Sequence, residues 1–294
     1  MGKDLAERFP AARDTFAAID AALGVPLSRV MWEGPEDELT LTHNTQPAIL
    51  AHSAAVFAVV RERLGGMDIR AAAGHSLGEY SAYVAAGSLP ATEAARLVRR
   101  RGELMYEAGT ARPGAMSAVL GLAPDGVEAA CAEASGADGV AVAANLNAPD
   151  QIVISGDPAA VARAGEGCKA RGAKRVLPLK VSGAFHSPLM APAVAGLEAA
   201  LATAAFGAPA FPVIANATAE AVRTPADAKR LLAAQLTAPV RWIACMQAAA
   251  ALAPEATFIE LGPGSVLSGL LRKILPGART VTLGTVSEVE AFLA

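Results

Sequence analysis

Apolar residues recur every three or four positions in the N-terminal part of the chain, a spacing that predicts amphipathic α-helices. Residues 4–23 and 45–66 both show it, and the second segment ends in a Gly-Gly pair that favours a helix stop. A short apolar stretch at 68–74 predicts a strand. The residues after Ser76 again have helical spacing, and Gly87 is placed to end that helix. The pattern around Ser76 is therefore strand, sharp turn and helix.

The sequence pattern changes at Gly114, where short predicted strands and helices replace the long helices. They are predicted, in order, as strand, helix, strand, strand, helix and strand, the β-α-β-β-α-β order of a ferredoxin-like module. We expect this module to occupy residues 112–181, an insertion of about 70 residues. Helices and strands alternate again afterwards. Residues 1–111 and 182–294 are therefore predicted to form one larger α/β subdomain.

The composition narrows the class of protein. The chain has 294 residues, enough for a large domain with an insertion, and its net charge of -3 offers no overall attraction to nucleic acid. No apolar run reaches the roughly 20 residues of a membrane-spanning helix, and the N-terminal residues lack the order of a secretory signal. The three cysteines lie far apart, so neither a disulfide framework nor a metal site is expected. We expect a cytoplasmic protein that binds neither nucleic acid nor membrane.

The stretch GHSLG places Ser76 between Gly74 and Gly78, at the turn from the predicted strand to the predicted helix. This is the arrangement of a nucleophile elbow, in which side chains at both glycine positions would collide with neighbouring elements. The backbone N–H groups of the first helical turn, Leu77 among them, would face the negative charge that forms on an attacked carbonyl oxygen. A serine that only caps the helix has the same local pattern and stays an alternative.

A serine nucleophile needs a general base, and the sequence has four histidines. His43 and His52 lie early in the upstream helix, where a surface or capping role is expected. His75 precedes the serine on the strand, and alternation turns its side chain away from Ser76. His186 remains, in a turn two residues before a proline at the end of the inserted module. It is the candidate base, with a hydrogen-bonded structural histidine as the alternative.

Three consecutive arginines lie in the helix predicted over residues 92–109. A period of 3.6 residues puts Arg101 at the centre of the apolar stripe, whereas Arg99 points to the opposite side and Arg100 to the flank. A buried guanidinium is costly unless it meets an anion, so either a carboxylate of the protein or one of a substrate pairs with Arg101. The second case suggests an acyl substrate that carries its own negative charge.

With Ser76, Arg101 and His186 in this order, the chain resembles the malonyl-CoA:acyl carrier protein transacylases and the related acyltransferase domains of polyketide synthases. The resemblance covers nearly the whole chain and rests on seven stretches that follow the family's order. These are TQPAIL (45–50), GHSLGEYSA (74–82), RGELM (101–105), GAMSAVLGL (114–122), NLNAPDQIVISG (145–156), AFHSPLM (184–190) and ELGPGSVL (260–267).

The resemblance implies an α/β-hydrolase-like large subdomain with the ferredoxin-like insertion. It also implies a ping-pong transfer of malonyl from malonyl-CoA to the phosphopantetheine thiol of acyl carrier protein, in fatty acid or polyketide synthesis. In this scheme His186 activates Ser76, Arg101 holds the malonyl carboxylate, and a main-chain carbonyl at Gln235 orients the histidine. Phe185 resembles the residue of members that accept malonyl and reject methylmalonyl. No metal or other cofactor is expected, and we expect a monomer.

One departure from the family concerns the N-terminus. Members begin with a strand and a G-Q-G-S-Q loop whose glutamine lines the oxyanion site, and this chain starts at the segment that follows them. The sequence-based expectation is that Met1 is an internal methionine of a longer natural chain. A chain without that strand and loop is expected to have weak stability and low activity.

Two other classes of function share parts of this pattern. A serine esterase or thioesterase also uses an elbow serine, but such hydrolases usually place an aspartate before a histidine near the C-terminus, and a neutral ester has no use for Arg101. An inactive homologue that docks carrier protein is the third alternative, because the oxyanion loop is absent from the sequence.

Overall fold

The computed structural model describes residues 1–294, and these form an α/β structure with three small sheets. The helices are α1 (Lys3–Arg8), α2 (Pro10–Leu23), α3 (Leu27–Glu33), α4 (Glu36–Thr40), α5 (Thr42–Gly65), α6 (Gly78–Ala85), α7 (Ala91–Ala111), α8 (Pro124–Ala134), α9 (Pro158–Ala170), α10 (Ala191–Thr203), α11 (Pro225–Ala234), α12 (Trp242–Leu252), α13 (Val266–Ile274) and α14 (Val286–Leu293). The strands are β1 (Ala72–Ala73), β2 (Ala115–Leu120), β3 (Ala141–Ala148), β4 (Gln151–Gly156), β5 (Arg175–Pro178), β6 (Val213–Ile214), β7 (Ala221–Val222), β8 (Thr257–Leu261) and β9 (Arg279–Leu283).

The long helices of the N-terminal part surround one large apolar core, as their spacing predicts. The first predicted helix is divided at Phe9 because Pro10 begins a new helix. Helices α5 and α7 touch backbone to backbone at Gly102, where a Cβ would lie 2.6 Å from the Cα of His43 and 2.9 Å from the carbonyl oxygen of Thr42. This close crossing brings the middle of α7, and with it Arg101, next to α5.

Strand β1 leads to Ser76 and is shorter than the apolar stretch at 68–74 predicts. It pairs in parallel with β6, and β6 pairs antiparallel with β7. The carboxyl ends of parallel neighbours meet at one edge of a sheet, so the residues after β1 and after β6 lie side by side. Strands β8 and β9 form a separate parallel pair.

The inserted module has the predicted element order. Its four strands form an antiparallel sheet in the order β3-β4-β2-β5, and helices α8 and α9 pack on one face over a core that includes Val119, Ile152 and Ile154. All of these elements lie within residues 112–181. The limits of the subdomain at 112 and 181 themselves stay a prediction.

The opposite face of that sheet looks toward the large subdomain. Met116, Ala144 and Val153 form a small buried cluster on it, and Phe185 packs against them. The edge of β3 is also hydrogen bonded to the large subdomain, since Leu146 N donates to Val240 O at 2.9 Å and Val240 N donates to Ala144 O at 2.8 Å. Two backbone hydrogen bonds therefore join the subdomains at Val240.

The sequence pattern misses some elements of the large subdomain. Strands β6 and β7 have two residues each, too few to show alternation, and α12 is rich in alanine and apolar almost all round, so it has no amphipathic stripe. None of the fourteen helices combines the length and the hydropathy needed to cross a membrane.

The crossing at Gly102 predicts a stability difference between two helical glycines. Gly102→Ala is expected to lower the free energy of unfolding by about 1–3 kcal/mol, because the new methyl group forces α5 and α7 apart. Gly269→Ala is the matched control. Its Cβ would meet only the end of the Arg272 side chain, at 4.0 Å, so the change is expected to stabilise α13 by about 0.5–1 kcal/mol. Urea denaturation measures both, and equal effects would contradict the close crossing.

Candidate active site

Ser76 lies on a strained turn between strand and helix. Strand β1 ends at Ala73 and α6 begins at Gly78, while Ser76 has a φ of 52°, in the left-handed region that disfavours a side chain. A Cβ on Gly74 would lie 1.9 Å from the carbonyl oxygen of Gly78, whereas a Cβ on Gly78 would meet nothing within 4 Å. The collision predicted at both glycines is therefore confirmed for Gly74 and wrong for Gly78, which borders open space.

Asn216 holds the two sides of this turn together. Its Oδ1 accepts from Ser76 N at 2.7 Å, and its Nδ2 donates to Gly74 O at 2.8 Å. Asn216 is fully buried and follows β6, the parallel neighbour of β1. The sequence analysis misses this residue because β6, the strand that it follows, is too short to be recognised in the sequence.

Ser76 and His186 are hydrogen bonded across the site. The distance from Ser76 Oγ to His186 Nε2 is 2.8 Å, and His186 Nδ1 lies 2.9 Å from the main-chain oxygen of Gln235. Since a carbonyl oxygen only accepts, Nδ1 carries the proton and Nε2 presents its lone pair to the serine hydroxyl. Burial is the main cause, and the charge of Arg101 the second, that lowers the pKa of His186 to about 3, so the imidazole is neutral at pH 7. The turn position expected for His186 is confirmed.

Arg101 is buried, as the helical period predicts, and points at the serine. Its side chain is 1% exposed; Nη1 donates to Gln46 Oε1 at 2.6 Å, and Nη2 donates to Ser76 Oγ at 3.0 Å and to Gln235 Oε1 at 2.9 Å. The Nε atom has no partner.

No carboxylate of the protein lies within 4.0 Å of the guanidinium of Arg101, whereas Arg99 and Arg100 pair with Glu103 at the surface. The positive charge in the site is therefore left without a direct counter-ion.

Gln235 does more than the sequence analysis assigned to its main chain. Its side-chain Nε2 donates to Glu79 Oε2 at 2.7 Å and to Ser76 O at 3.1 Å, while its Oε1 accepts from Arg101. One residue thus contacts the histidine through its backbone and the arginine, the elbow and a buried glutamate through its amide. Gln46 and Glu79 are further residues that sequence reasoning missed. Both are buried polar side chains, and a polar residue among the apolar residues of a helix is the sequence signal that could have identified them.

The backbone N–H groups beside the nucleophile are not equivalent. Ser76 N is bonded to Asn216, and Gly78 N donates to His75 O at 2.9 Å. Leu77 N donates to no acceptor in the protein. Leu77 therefore offers the unpaired N–H at the position where the sequence places an oxyanion contact.

The other three histidines are not bonded to Ser76. His43 is half-buried and packs edge-on against Tyr106 at 5.4 Å between ring centres, and His75 Nε2 lies 2.7 Å from Asn147 Oδ1. The surface or capping role expected for His52 is wrong. His52 is 2% exposed because α5 is covered on nearly all sides, and this burial lowers its pKa to about 4.

Phe185 precedes the histidine and is half-buried. Its ring packs against the cluster of Met116, Ala144 and Val153 on the inserted sheet and against the core of the large subdomain. It therefore lies between the two subdomains, next to the site. Its part in the choice of acyl group stays a prediction.

The site combines a serine hydroxyl hydrogen bonded to a neutral imidazole with a buried cation and an unpaired backbone N–H. These are the groups that an acyltransferase needs. The sequence matches the family described as "Acyl transferase domain" over residues 1–287. It is 43% identical to the malonyl CoA-acyl carrier protein transacylases of Bacillus subtilis, over 99% of this chain and 90% of the relative, and of Escherichia coli K12, over 100% and 93%. The chain belongs to the malonyl CoA-acyl carrier protein transacylase family.

Solved structures agree with this membership over the whole fold. The acyl carrier protein S-malonyltransferase of Vibrio cholerae is 42% identical, with a TM-score of 0.94 over 99% of this chain and 94% of that one. A malonyl-transacylase solved in complex with its type II PKS acyl-carrier protein is 40% identical, with a TM-score of 0.93 over 100% of this chain and 94% of that one. The predicted α/β fold class, with its large subdomain and ferredoxin-like insertion, is confirmed.

The elbow geometry predicts opposite outcomes for its two glycines. Gly74→Ala is expected to lower the free energy of unfolding by about 3 kcal/mol or more, because its methyl group would overlap the backbone of Gly78. Gly78→Ala, the matched control, is expected to leave the melting temperature unchanged or slightly higher. Thermal unfolding followed by circular dichroism measures both. A stable Gly74→Ala variant would contradict the described turn.

Proposed function

We propose that the chain is an [acyl-carrier-protein] S-malonyltransferase. It transfers a malonyl group from malonyl-CoA to the phosphopantetheine thiol of acyl carrier protein through a malonyl ester of Ser76, in fatty acid or polyketide synthesis. The observation that carries the proposal is the contact of Arg101 Nη2 with Ser76 Oγ at 3.0 Å, by a guanidinium that has no carboxylate partner. Family membership at 43% identity supports it.

The short distance between Arg101 Nη2 and Ser76 Oγ limits the length of the acyl group that can react. A carboxylate bound to Arg101 must be only one or two bonds from the carbonyl carbon that Ser76 attacks, because the guanidinium already touches the serine oxygen. A malonyl group meets this requirement, with one methylene between its carboxylate and its thioester carbonyl. Longer diacids would have to fold back on themselves, and a neutral acyl group would leave the buried charge uncompensated.

The first half-reaction uses His186 as the general base. Its Nε2 takes the proton from Ser76 Oγ, the oxygen attacks the thioester carbonyl, and the negative charge that develops on the carbonyl oxygen faces the N–H of Leu77. The carbon–sulfur bond then breaks, and the departing CoA thiolate takes the proton from His186. The product is the malonyl ester of Ser76.

The second half-reaction runs the same steps in reverse order. The thiol of acyl carrier protein gives its proton to His186 Nε2, its sulfur attacks the ester carbonyl, and Ser76 leaves with that proton. Arg101 holds the malonyl carboxylate throughout. Because Ser76, Arg101, His186 and Gln235 all belong to one chain, we infer that a monomer is active. Because the proposed steps need only these residues and the Leu77 N–H, we infer that no cofactor takes part.

The acyl carboxylate also prepares the base. The positive charge of Arg101 is one of the causes that lower the pKa of His186, after burial. A carboxylate bound to Arg101 cancels that charge and makes the imidazole more basic at the moment when it must accept a proton. An anionic acyl group is therefore favoured in the chemical step as well as in binding.

Trapping of the acyl-enzyme tests the proposal. Incubation with malonyl-CoA and no carrier protein is expected to add the mass of one malonyl group to the peptide that contains Ser76, because no thiol is present to remove it. Ser76→Ala is expected to give no adduct. Intact-protein and peptide mass spectrometry measure both. An adduct on another residue, or none with the unaltered chain, would refute the proposed activity.

The carboxylate role of Arg101 predicts a difference between acyl groups. Arg101→Ala is expected to lower kcat/KM for malonyl-CoA by about 100-fold or more, because a buried, charge-assisted contact is lost. Transfer of acetyl is expected to fall far less. Arg100→Ala on the same helix, with its side chain 45% exposed, is the control and should change neither. Equal losses for malonyl and acetyl in Arg101→Ala would rule out the carboxylate role.

A further inference from the structure

Glu79 is a fully buried carboxyl group that the transfer steps do not use. It is the second residue of α6, and its Oε2 accepts from Asn216 N at 2.9 Å and from Gln235 Nε2 at 2.7 Å. Its Oε1 is buried without any partner. An ionised carboxylate with one uncompensated oxygen is costly in the interior, whereas a proton on that oxygen removes the charge. The site thus contains a carboxyl group that is poised between two protonation states.

The amide of Gln235 connects this carboxyl group to Arg101. Its Nε2 donates to Glu79 and its Oε1 accepts from Arg101 Nη2, so the cation and the anion share one bridging side chain and do not form a direct ion pair. An amide in this orientation carries its positive end to Glu79 and its negative end to Arg101, which stabilises both charges. Glu79 is therefore the indirect counter-charge of Arg101 when no substrate is present.

The other titratable groups around Glu79 are uncharged. Tyr80 and Tyr83 share its helix and Cys245 approaches from α12; burial raises the pKa of both tyrosines above the ordinary value and that of Cys245 to about 12. Arg101, from α7, is the one charged neighbour. Burial raises the pKa of Glu79 to about 7, against the opposing effects of the bonds from Asn216 and Gln235 and of the Arg101 charge.

An anionic acyl group changes this balance. A carboxylate bound directly to Arg101 compensates the guanidinium, and two negative charges would then share a single buried positive charge. The acyl carboxylate is fixed by its covalent chain, whereas the charge of Glu79 can be removed by a proton on its unpartnered Oε1. A proton on Oε1 does not disturb the hydrogen bonds that Gln235 Nε2 and Asn216 N donate to Oε2.

We propose that Glu79 is the counter-charge that Arg101 exchanges for the acyl carboxylate, and that Glu79 takes up a proton from solvent when an anionic acyl group enters the site. The inference rests on the proposed malonyl transfer and deepens it. Ionised Glu79 and the acyl carboxylate both depend on the positive charge of Arg101, so ionisation of Glu79 weakens binding of the acyl carboxylate. A neutral acyl group has no charge to compensate, and its binding does not depend on the ionisation of Glu79. Glu79 is in this sense a specificity residue that makes selection of anionic acyl groups depend on pH.

The sign of the pH dependence follows from this exchange. Protonated Glu79 favours the bound malonyl group, so kcat/KM for malonyl-CoA is expected to be highest below the pKa of about 7 and to fall by about tenfold as the pH rises to about 8.5. The ratio of kcat/KM for acetyl-CoA to that for malonyl-CoA should rise over the same interval by the same factor.

Steady-state kinetics with both acyl-CoA substrates test the proposal. In Glu79→Gln the oxygen of the amide can still accept from Asn216 and Gln235, but the charge is gone, so the fall for malonyl-CoA relative to acetyl-CoA should disappear. Glu62→Gln, which changes an exposed and unpaired glutamate on α5, is the matched control and should keep the profile of the unaltered chain. A malonyl-to-acetyl ratio with the same pH dependence in Glu79→Gln as in the unaltered chain would overturn the inference.

Proton uptake by the unaltered chain gives a second measurement that needs no variant. Mixing with malonyl-CoA in weakly buffered solution with a pH indicator is expected to consume about half a proton more per acyl-enzyme near pH 7.5 than mixing with acetyl-CoA. The fraction of a proton that the released CoA thiol loses is the same for both substrates and cancels in this comparison. If the malonyl ester of Ser76 forms without extra uptake, the inference about Glu79 fails and the proposed transfer stands. If no malonyl ester forms at any pH, the proposed transfer itself fails.

Discussion

A buried guanidinium without a carboxylate beside it is the constraint on which the site depends. Arg101 is 1% exposed, and neutral oxygens of Gln46, Ser76 and Gln235 receive its hydrogen bonds. Neutral acceptors satisfy geometry but do not compensate charge, and Glu79 is connected to the guanidinium only through the Gln235 amide, so a local positive potential remains at the nucleophile. That potential attracts an anionic acyl group and adds to the effect of burial, which is the main cause that keeps His186 neutral. It also favours the ionised form of Glu79, against its burial.

Hydrogen bonds to the backbone fix the nucleophile and the base beside this charge. Asn216 bonds to Gly74 and Ser76 on the two sides of the elbow, and the main chain of Gln235 sets the tautomer of His186. The amide of Gln235 joins the elbow to Arg101. The nucleophile, base and cation are therefore held by a single connected network, and a change in any member is transmitted to the others over one or two hydrogen bonds.

The residues that the sequence revealed are those whose local pattern carries the signal. Glycine spacing indicated Ser76, helical period indicated Arg101, and elimination among four histidines indicated His186. Asn216 and the Gln235 amide could not be found in this way, because their roles come from contacts between segments that only folding brings together. The pattern could mark Gln46 as a polar residue in an apolar helix, but it could not give its partner Arg101. Local reasoning also failed where burial is set by distant elements. His52 is covered by elements that its own helix pattern does not specify, and Gly78 has no atom within 4 Å of the place where a Cβ would lie, which the glycine spacing alone does not reveal.

The backbone bonds at Val240 have a consequence for how substrates exchange. Val240 lies five residues after Gln235, whose carbonyl aligns the histidine, and it is bonded on both its N–H and its carbonyl to strand β3 of the insertion. A hinge motion that swung the two lobes apart would pull on this segment and misalign the base. We therefore expect turnover to proceed with the two subdomains held together, so that the flexible pantetheine arms of CoA and of the carrier protein reach into a fixed catalytic centre.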